Sequence, residues 1–240
     1  MGITTKGNGR VVFGSRIPPF INTYSLDFDG VDNNIPILNT TQTVSWASNL
    51  SYSCWIKTTE IGVYQQYKTA FGGRSNGGSV YDLGKLVTPF LSSEIFVGGG
   101  TTPLNDGVWH HLVTTFNYTT KEVIRYVDGS PEGFSTYPGY ITHYNVSIGS
   151  NGFGLYYYEG NVDECALWRS ILTPLEITSI YNSGTPNDLT PLSPYGWWRM
   201  GDKATYDGTN WALVDQGSGG NNGNSVNMDL IDRVPDTPPS

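Results

Sequence analysis

Glu159, Asp163 and Glu164 sit close together in the run Tyr156-Tyr-Tyr-Glu-Gly-Asn-Val-Asp-Glu-Cys-Ala-Leu-Trp168. Carboxylates among aromatic residues suit sugar chemistry, a metal site, or only a strand with polar edges. A retaining glycosidase needs two carboxyl groups about 5 Å apart. A strand supplies such a pair when the two residues share a face, as alternate positions do. Asp163 and Glu164 are adjacent, so a regular strand points them to opposite faces, and Glu159 lies four residues back across Gly160. That spacing is wrong for hydrolysis, and the expectation is a protein that is not an enzyme.

Binding without turnover needs an aromatic platform and a few polar groups. Phe153, Tyr156, Tyr157 and Tyr158 lie in a glycine-rich loop, and Tyr137, Tyr140 and Tyr144 lie in another. Neighbouring tyrosines on a strand face opposite ways, so at least one of Tyr156 to Tyr158 is expected to point outward. The first four are candidates for contact with a carbohydrate or a protein partner, since tyrosine is also enriched at interfaces. His110 and His111 have no Cys or His partner at metal-binding spacing and are expected to be structural. Gly98-Gly-Gly100 lacks the lysine and hydroxyl residue of a phosphate loop. No nucleophile–base set or dinucleotide fingerprint appears.

The elements that position these residues are strands. Tyr24 to Asp29 alternates, with Leu26 and Phe28 opposite Asp27 and Asp29. Further strands are predicted at 43–46, 52–57, 68–71, 80–83, 86–91, 94–97, 109–116, 121–127, 144–148 and 162–168. Asn-Gly, Gly-Gly and Asp-Gly turn signals separate them, and Val127-Asp-Gly-Ser130 is a tight turn with Gly129 free to take positive φ. Many short strands without alternating helices predict an all-β antiparallel sandwich. One helix follows Thr173 (the N-cap), with Pro174 in its first turn, Glu176 completing a capping box and Gly184 as its C-cap. The division expected is an N-terminal arm at 1–23, a sandwich at 24–190, and an extension at 191–240 with an added strand and a proline-rich tail.

The chain has 240 residues, of which 30 are Gly, 16 are Tyr and 14% are charged, with a net charge of -8. The 13 basic residues are scattered, which argues against nucleic acid as a partner. No apolar run is long enough to insert in a membrane, and Val11-Val12-Phe13 is too short for the apolar core of a leader. Cys54 and Cys165 both sit in apolar runs and read as buried thiols; whether they pair is open from sequence.

Four motifs together resemble a known family. They are Tyr24-Ser-Leu-Asp-Phe-Asp-Gly-Val-Asp-Asn33, Tyr52-Ser-Cys-Trp-Ile-Lys-Thr58, Asn105 to Asn117 with Tyr126-Val-Asp-Gly129, and Gly160 to Gly184. In this order they resemble concanavalin A-like, laminin G-type jelly-roll domains, over about residues 24–190. The resemblance implies the sandwich fold but not one function, because this fold hosts lectins, glycosidases, adhesion modules and virion parts. It implies Ca2+ as a cofactor, with Asp29 and Asp163 as candidate metal ligands. Trp197-Trp-Arg-Met-Gly201 and the following Val214 to Gly223 resemble the opening strand and loop of such domains, displaced here to the end. That strand is expected to complete its own sandwich or a neighbour's.

The function expected is a non-enzymatic virion structural protein of the tailed-bacteriophage type, for capsid decoration or a fibre, with glycan binding as a further capacity. It rests on the flanking arms, the missing leader and the missing active site. Its partners would be other virion proteins, copies of itself and cell-surface glycans, and its location the virion. The alternatives are a free, extracellular carbohydrate-binding lectin and, third, a glycoside hydrolase.

Overall fold

The computed structural model describes residues 5–6, 10–11, 20–37, 49–60, 68–74, 80–82, 85–87, 90–92, 102–136, 144–151 and 156–239. The strands expected at 43–46 and 94–97 lie outside these residues, as do Phe153, Tyr137 and Tyr140.

The main sheet has eight strands: β1 (Ser25–Asp29), β2 (Leu50–Lys57), β3 (His110–Phe116), β4 (Glu122–Val127), β5 (Ser130–Thr136), β6 (Glu159–Trp168), β7 (Gly196–Trp198) and β8 (Arg233–Val234). They run β5-β4-β3-β2-β6-β1-β8, with β7 beside the second half of β6. Every pairing is antiparallel. Asp128 and Gly129 both take positive φ, at 50° and 77°, which is the backbone a two-residue hairpin between β4 and β5 requires.

A four-stranded sheet faces it, ordered Ile35–Pro36, Tyr144–Ile148, Phe71–Arg74 and Val80–Asp82. Between the two lies the principal core. Leu26, Phe28, Tyr52, Cys54, Ile56, Val162, Cys165 and Leu167 pack in one cluster with Ile35, Phe71, Val146 and Ile148. The chain is thus the antiparallel sandwich with one short α-helix that its alternation predicts, among the described residues.

The other face of the main sheet is also covered. Helix α1 (Pro174–Tyr181) starts with the expected capping box between Thr173 and Glu176. Its Ile177 and Ile180 pack with Val113, Tyr126, Ala166 and Trp168 in a second cluster. This cover explains why β3 is buried at every position although an exposed antiparallel sheet would alternate. The helix ends earlier than expected. Asn182 takes the left-handed cap conformation, and a 3-10 turn (Asn182–Gly184) follows before Gly184.

The C-terminal segment returns to the sandwich. β7 pairs with β6 of the same chain, Trp198 opposite Cys165, and β8 pairs with β1. The tail, which lacks core-forming residues, is tied by Asp236 instead. Its carboxylate takes the Lys57 ammonium at 2.6 Å and the Trp109 indole N–H at 3.0 Å, and its carbonyl takes the Ser25 hydroxyl.

Candidate functional site

The site is built on an irregularity in β6. Asp163 stands opposite Trp55 and Ala166 opposite Ser53, so Glu164 and Cys165 share Cys54 as their one partner residue. This is a β-bulge. Glu164 absorbs the extra residue with a φ of 46°, in the left-handed region that a side chain rarely adopts. Val162, Cys165 and Leu167 consequently all belong to the inter-sheet core, while Ala166 and Trp168 face the helix. The bulge corrects the expectation that the adjacent carboxylates face opposite ways. Asp163 reaches Asn22 and Glu164 reaches Trp197 and Arg199, both on the outer side of the sheet.

Each oxygen of this pair accepts from a protein donor. Asp163 Oδ2 takes the Asn22 amide at 2.8 Å, and its Oδ1 takes the Glu164 backbone N–H. Glu164 Oε2 takes the Trp197 indole N–H at 2.6 Å, and its Oε1 takes Arg199 Nε at 2.9 Å. Arg199 Nη2 donates to the Ile21 carbonyl and lies 3.7 Å from Asp202 Oδ2. Two carboxylates, Glu164 and Asp202, therefore flank the one guanidinium, Asp163 adjoins Glu164, and burial favours the uncharged acid. Burial raises the Asp163 carboxyl well above its usual range, and the charge of Glu164 adds to this. Burial also pushes Glu164 up to about 7, against the opposing pull of Arg199 and Trp197. Both side chains are buried and spend their oxygens on donors of the fold itself.

The network straps the segment that precedes β1 across the sheet. Phe20 stacks on Trp197, with ring centroids 6.2 Å apart and planes 18° from parallel. The Arg199 guanidinium lies 4.1 Å from the Phe20 centroid. Ile21 gives its carbonyl to Arg199, Asn22 its amide to Asp163, and Thr23 its backbone N–H to Asp202 at 2.9 Å.

Beside the strap opens a cavity of about 610 Å³, walled by Phe20, Ile21, Trp197, Arg199, Asp202, Lys203, the Asn187-Asp188 turn, Thr190 and Gln216. Its size lies within the range of small-ligand sites. Two aromatic rings, two side-chain amides, a hydroxyl, two acids and two bases line it. The acids Asp188 and Asp202 balance the bases Arg199 and Lys203. Such a lining can hold a hydroxyl-rich ring between an apolar face and directional polar groups.

The residues singled out from sequence lie elsewhere. Tyr158 is completely buried and its hydroxyl donates to the Lys57 carbonyl at 3.1 Å, so it belongs to the core and not to a platform. Tyr156 and Tyr157 are half-buried, and the Tyr156 carbonyl accepts from Thr69 N–H. Phe153 is outside the described residues. Asp29 is exposed and its Oδ1 caps the turn after β1, taking the N–H groups of Val31, Asp32 and Asn33. Asp29 stands opposite Glu159, four residues before Asp163 on β6. At the strand rise that separates the two carboxylates by roughly 13 Å. The structure does not bring Asp29 and Asp163 together, and the pair does not fit a single calcium site, which wants six to eight oxygens around one ion. Among the described residues no group of three or more His, Cys, Asp or Glu is set to hold a metal.

Asp29 instead borders a smaller acidic cleft of about 360 Å³ with Asp27, Lys57, Glu159 and Asn161. Burial, together with the charges of Asp232, Asp236 and Glu159, raises the Asp27 carboxyl. The histidines are structural in their contacts. His111 meets the Ser53 hydroxyl at 2.8 Å and stacks with Tyr181, while His110 sits between Asp128 and Asp106.

Sequence reasoning missed Phe20, Asn187, Arg199 and Gln216 as parts of a site. A signal existed in Gly196-Trp-Trp-Arg199: with Trp198 facing the core, Trp197 and Arg199 must share the outer face.

A laminin G family model, described as the concanavalin A-like lectin/glucanases superfamily, matches residues 29–178. Among solved structures, a candidate carbohydrate binding protein from Bacteroides ovatus is similar with a TM-score of 0.67 and 18% identity, over 92% of this chain and 62% of that one. The chain thus spans under two thirds of that protein's length. The heptameric SAP-like pentraxin from Limulus polyphemus is similar with a TM-score of 0.50 and 16% identity, over 67% of this chain and 82% of that one. At these identities the likeness is one of fold.

Proposed function

Because the chain belongs to the concanavalin A-like lectin/glucanases superfamily, we propose that it is a carbohydrate-binding protein without catalytic activity. The observation that carries this reading is the cavity in which Phe20 lies beside Asn187, Asp188, Thr190 and Gln216. Aromatic faces and amides are the groups that hold a sugar ring by its C–H surface and its hydroxyls. The balanced charges of the lining favour a neutral saccharide over an anionic one. Lack of turnover is part of the proposal because Asp163 and Glu164, the carboxylates nearest to a catalytic pair in sequence, are closed off and hydrogen-bonded. Incubating the protein with the glycans it retains on an array tests this: the proposal expects retention with no change in glycan mass. Release of shorter products would contradict it.

A second reading places this binding on a virion surface, as a decoration or fibre protein. Its support is that segments flanking the core sandwich are held to it, residues 20–23 by Asp163, Arg199 and Asp202 and the later segment by β7, β8 and Asp236. Mass spectrometry of purified particles tests it; absence of the protein from them would contradict it.

A further inference from the structure

We propose that Cys54 and Cys165 form a disulfide stapling β2 to β6 when the chain folds in an oxidising compartment. The bulge makes Cys54 the shared partner of Glu164 and Cys165, and of those two only Cys165 faces the same core as Cys54. Opposed residues on antiparallel strands have Cα atoms about 4.5–5.5 Å apart, inside the range a disulfide spans. Both cysteines are buried and free, surrounded by apolar side chains that offer no competing partner.

The oxidant is a small-molecule disulfide such as oxidised glutathione. One cysteine thiolate attacks a glutathione sulfur, giving a mixed disulfide and releasing one glutathione thiolate. The second cysteine thiolate then attacks the protein sulfur of that mixed disulfide, forming the Cys54–Cys165 bond and expelling the second glutathione. The protein loses two electrons, oxidised glutathione gains them, and the two cysteine protons end on the released thiolates. Burial raises the Cys165 thiol far above its usual range, so thiolate is scarce once the sandwich has closed. The exchange belongs to folding, before the sheets meet.

The test is oxidative refolding of the reduced, denatured full chain in a glutathione buffer, with intact-mass and peptide-mapping readouts. The expected product is about 2 Da lighter, with the Cys54 and Cys165 peptides linked. A bridge closing a loop of roughly 110 residues should raise Tm by ~10 °C over the reduced protein. Cys54→Ala should abolish that increment. If that variant fails to fold, the wild-type mass decides alone. Two alkylatable thiols after refolding, glutathione adducts without a cross-link, or disulfides only between chains would each overturn the proposal.

Discussion

Trp197 donates its indole N–H to Glu164 Oε2 at 2.6 Å, a side-chain tie between the displaced strand β7 and the bulge of β6 that adds to their ladder pairing. The same carboxylate holds Arg199, and Arg199 holds the strap at Ile21. The wall of the cavity thus depends on a buried acid that does not itself line it.

Removing that acid should be severe. Glu164→Ala leaves the Arg199 guanidinium buried without its main partner and is expected to destabilise the protein by about 3–5 kcal/mol. Urea unfolding followed by tryptophan fluorescence measures it. A loss below about 1 kcal/mol, the range of a surface ion pair, would mean the network does not anchor the strap.

Stability should fall as pH rises up to and through neutrality. The folded Glu164 carboxyl is raised to about 7, above its unfolded value, and Asp163 is raised in the same direction. Such groups contribute stability that is fully present below their unfolded pKa and is lost as pH rises through the folded one. His111 acts the other way. Burial lowers it to about 3, so its contribution is lost as pH falls below the unfolded value of 6.5. Above pH 6.5 the loss from Glu164 and Asp163 runs alongside that of His110, which Asp128 and Asp106 raise against the opposing effect of burial, so urea midpoints should decline from pH 6.5 upward, and the part of the decline that Glu164→Gln removes is the carboxylate's own. A midpoint that rises over that range would contradict the burial argument.

Asp163→Asn should be tolerated. Asn22 Oδ1 is buried with no donor, and once the Asn22 amide turns over it can accept from an amide at 163, whose own oxygen keeps the Glu164 N–H. The variant is expected to match wild type at pH 6 and to exceed it in urea midpoint at pH 8.5, where wild type carries the buried charge. A lower midpoint at both pH values would show that Asp163 is needed as a carboxylate.

Gly160 marks the start of β6 with a φ of 126°, and a Cβ there would lie 2.3 Å from the Lys57 carbonyl. Gly160→Ala should destabilise by about 2–3 kcal/mol through backbone strain and this clash. Thermal unfolding checks it, and an unchanged Tm would contradict the placement of β6 against β2.

Much of the frame was readable from residue order. Leu26 and Phe28 declare the inner face of β1, Thr173 and Glu176 the start of α1, and Asp128-Gly129 a hairpin, because each rests on local stereochemistry. The bulge was only half readable. Val162, Cys165 and Leu167 do not share a period of two, which signals either burial on both faces or an inserted residue, and the structure contains both. Tyr158 could not be told from Tyr156 and Tyr157 by type; only the packing of the segment assigns one to the core. The cavity was unreadable because its walls come from segments near 20, 188, 199 and 216, and no local pattern encodes their meeting. The anchoring of Asn22 by Asp163, 141 positions apart, is of the same kind.

The most direct test of the account is titration of the protein with a neutral saccharide found on a glycan array, comparing wild type with the Asn187→Ala/Gln216→Ala double variant. Both side chains reach the cavity without belonging to either core cluster. Calorimetry should show binding by wild type and at least a tenfold loss in the variant, with Tm unchanged, since one or two lost hydrogen bonds amount to about that factor. No saccharide bound by wild type, or equal affinity in the variant, would contradict the assignment of this cavity as the carbohydrate site.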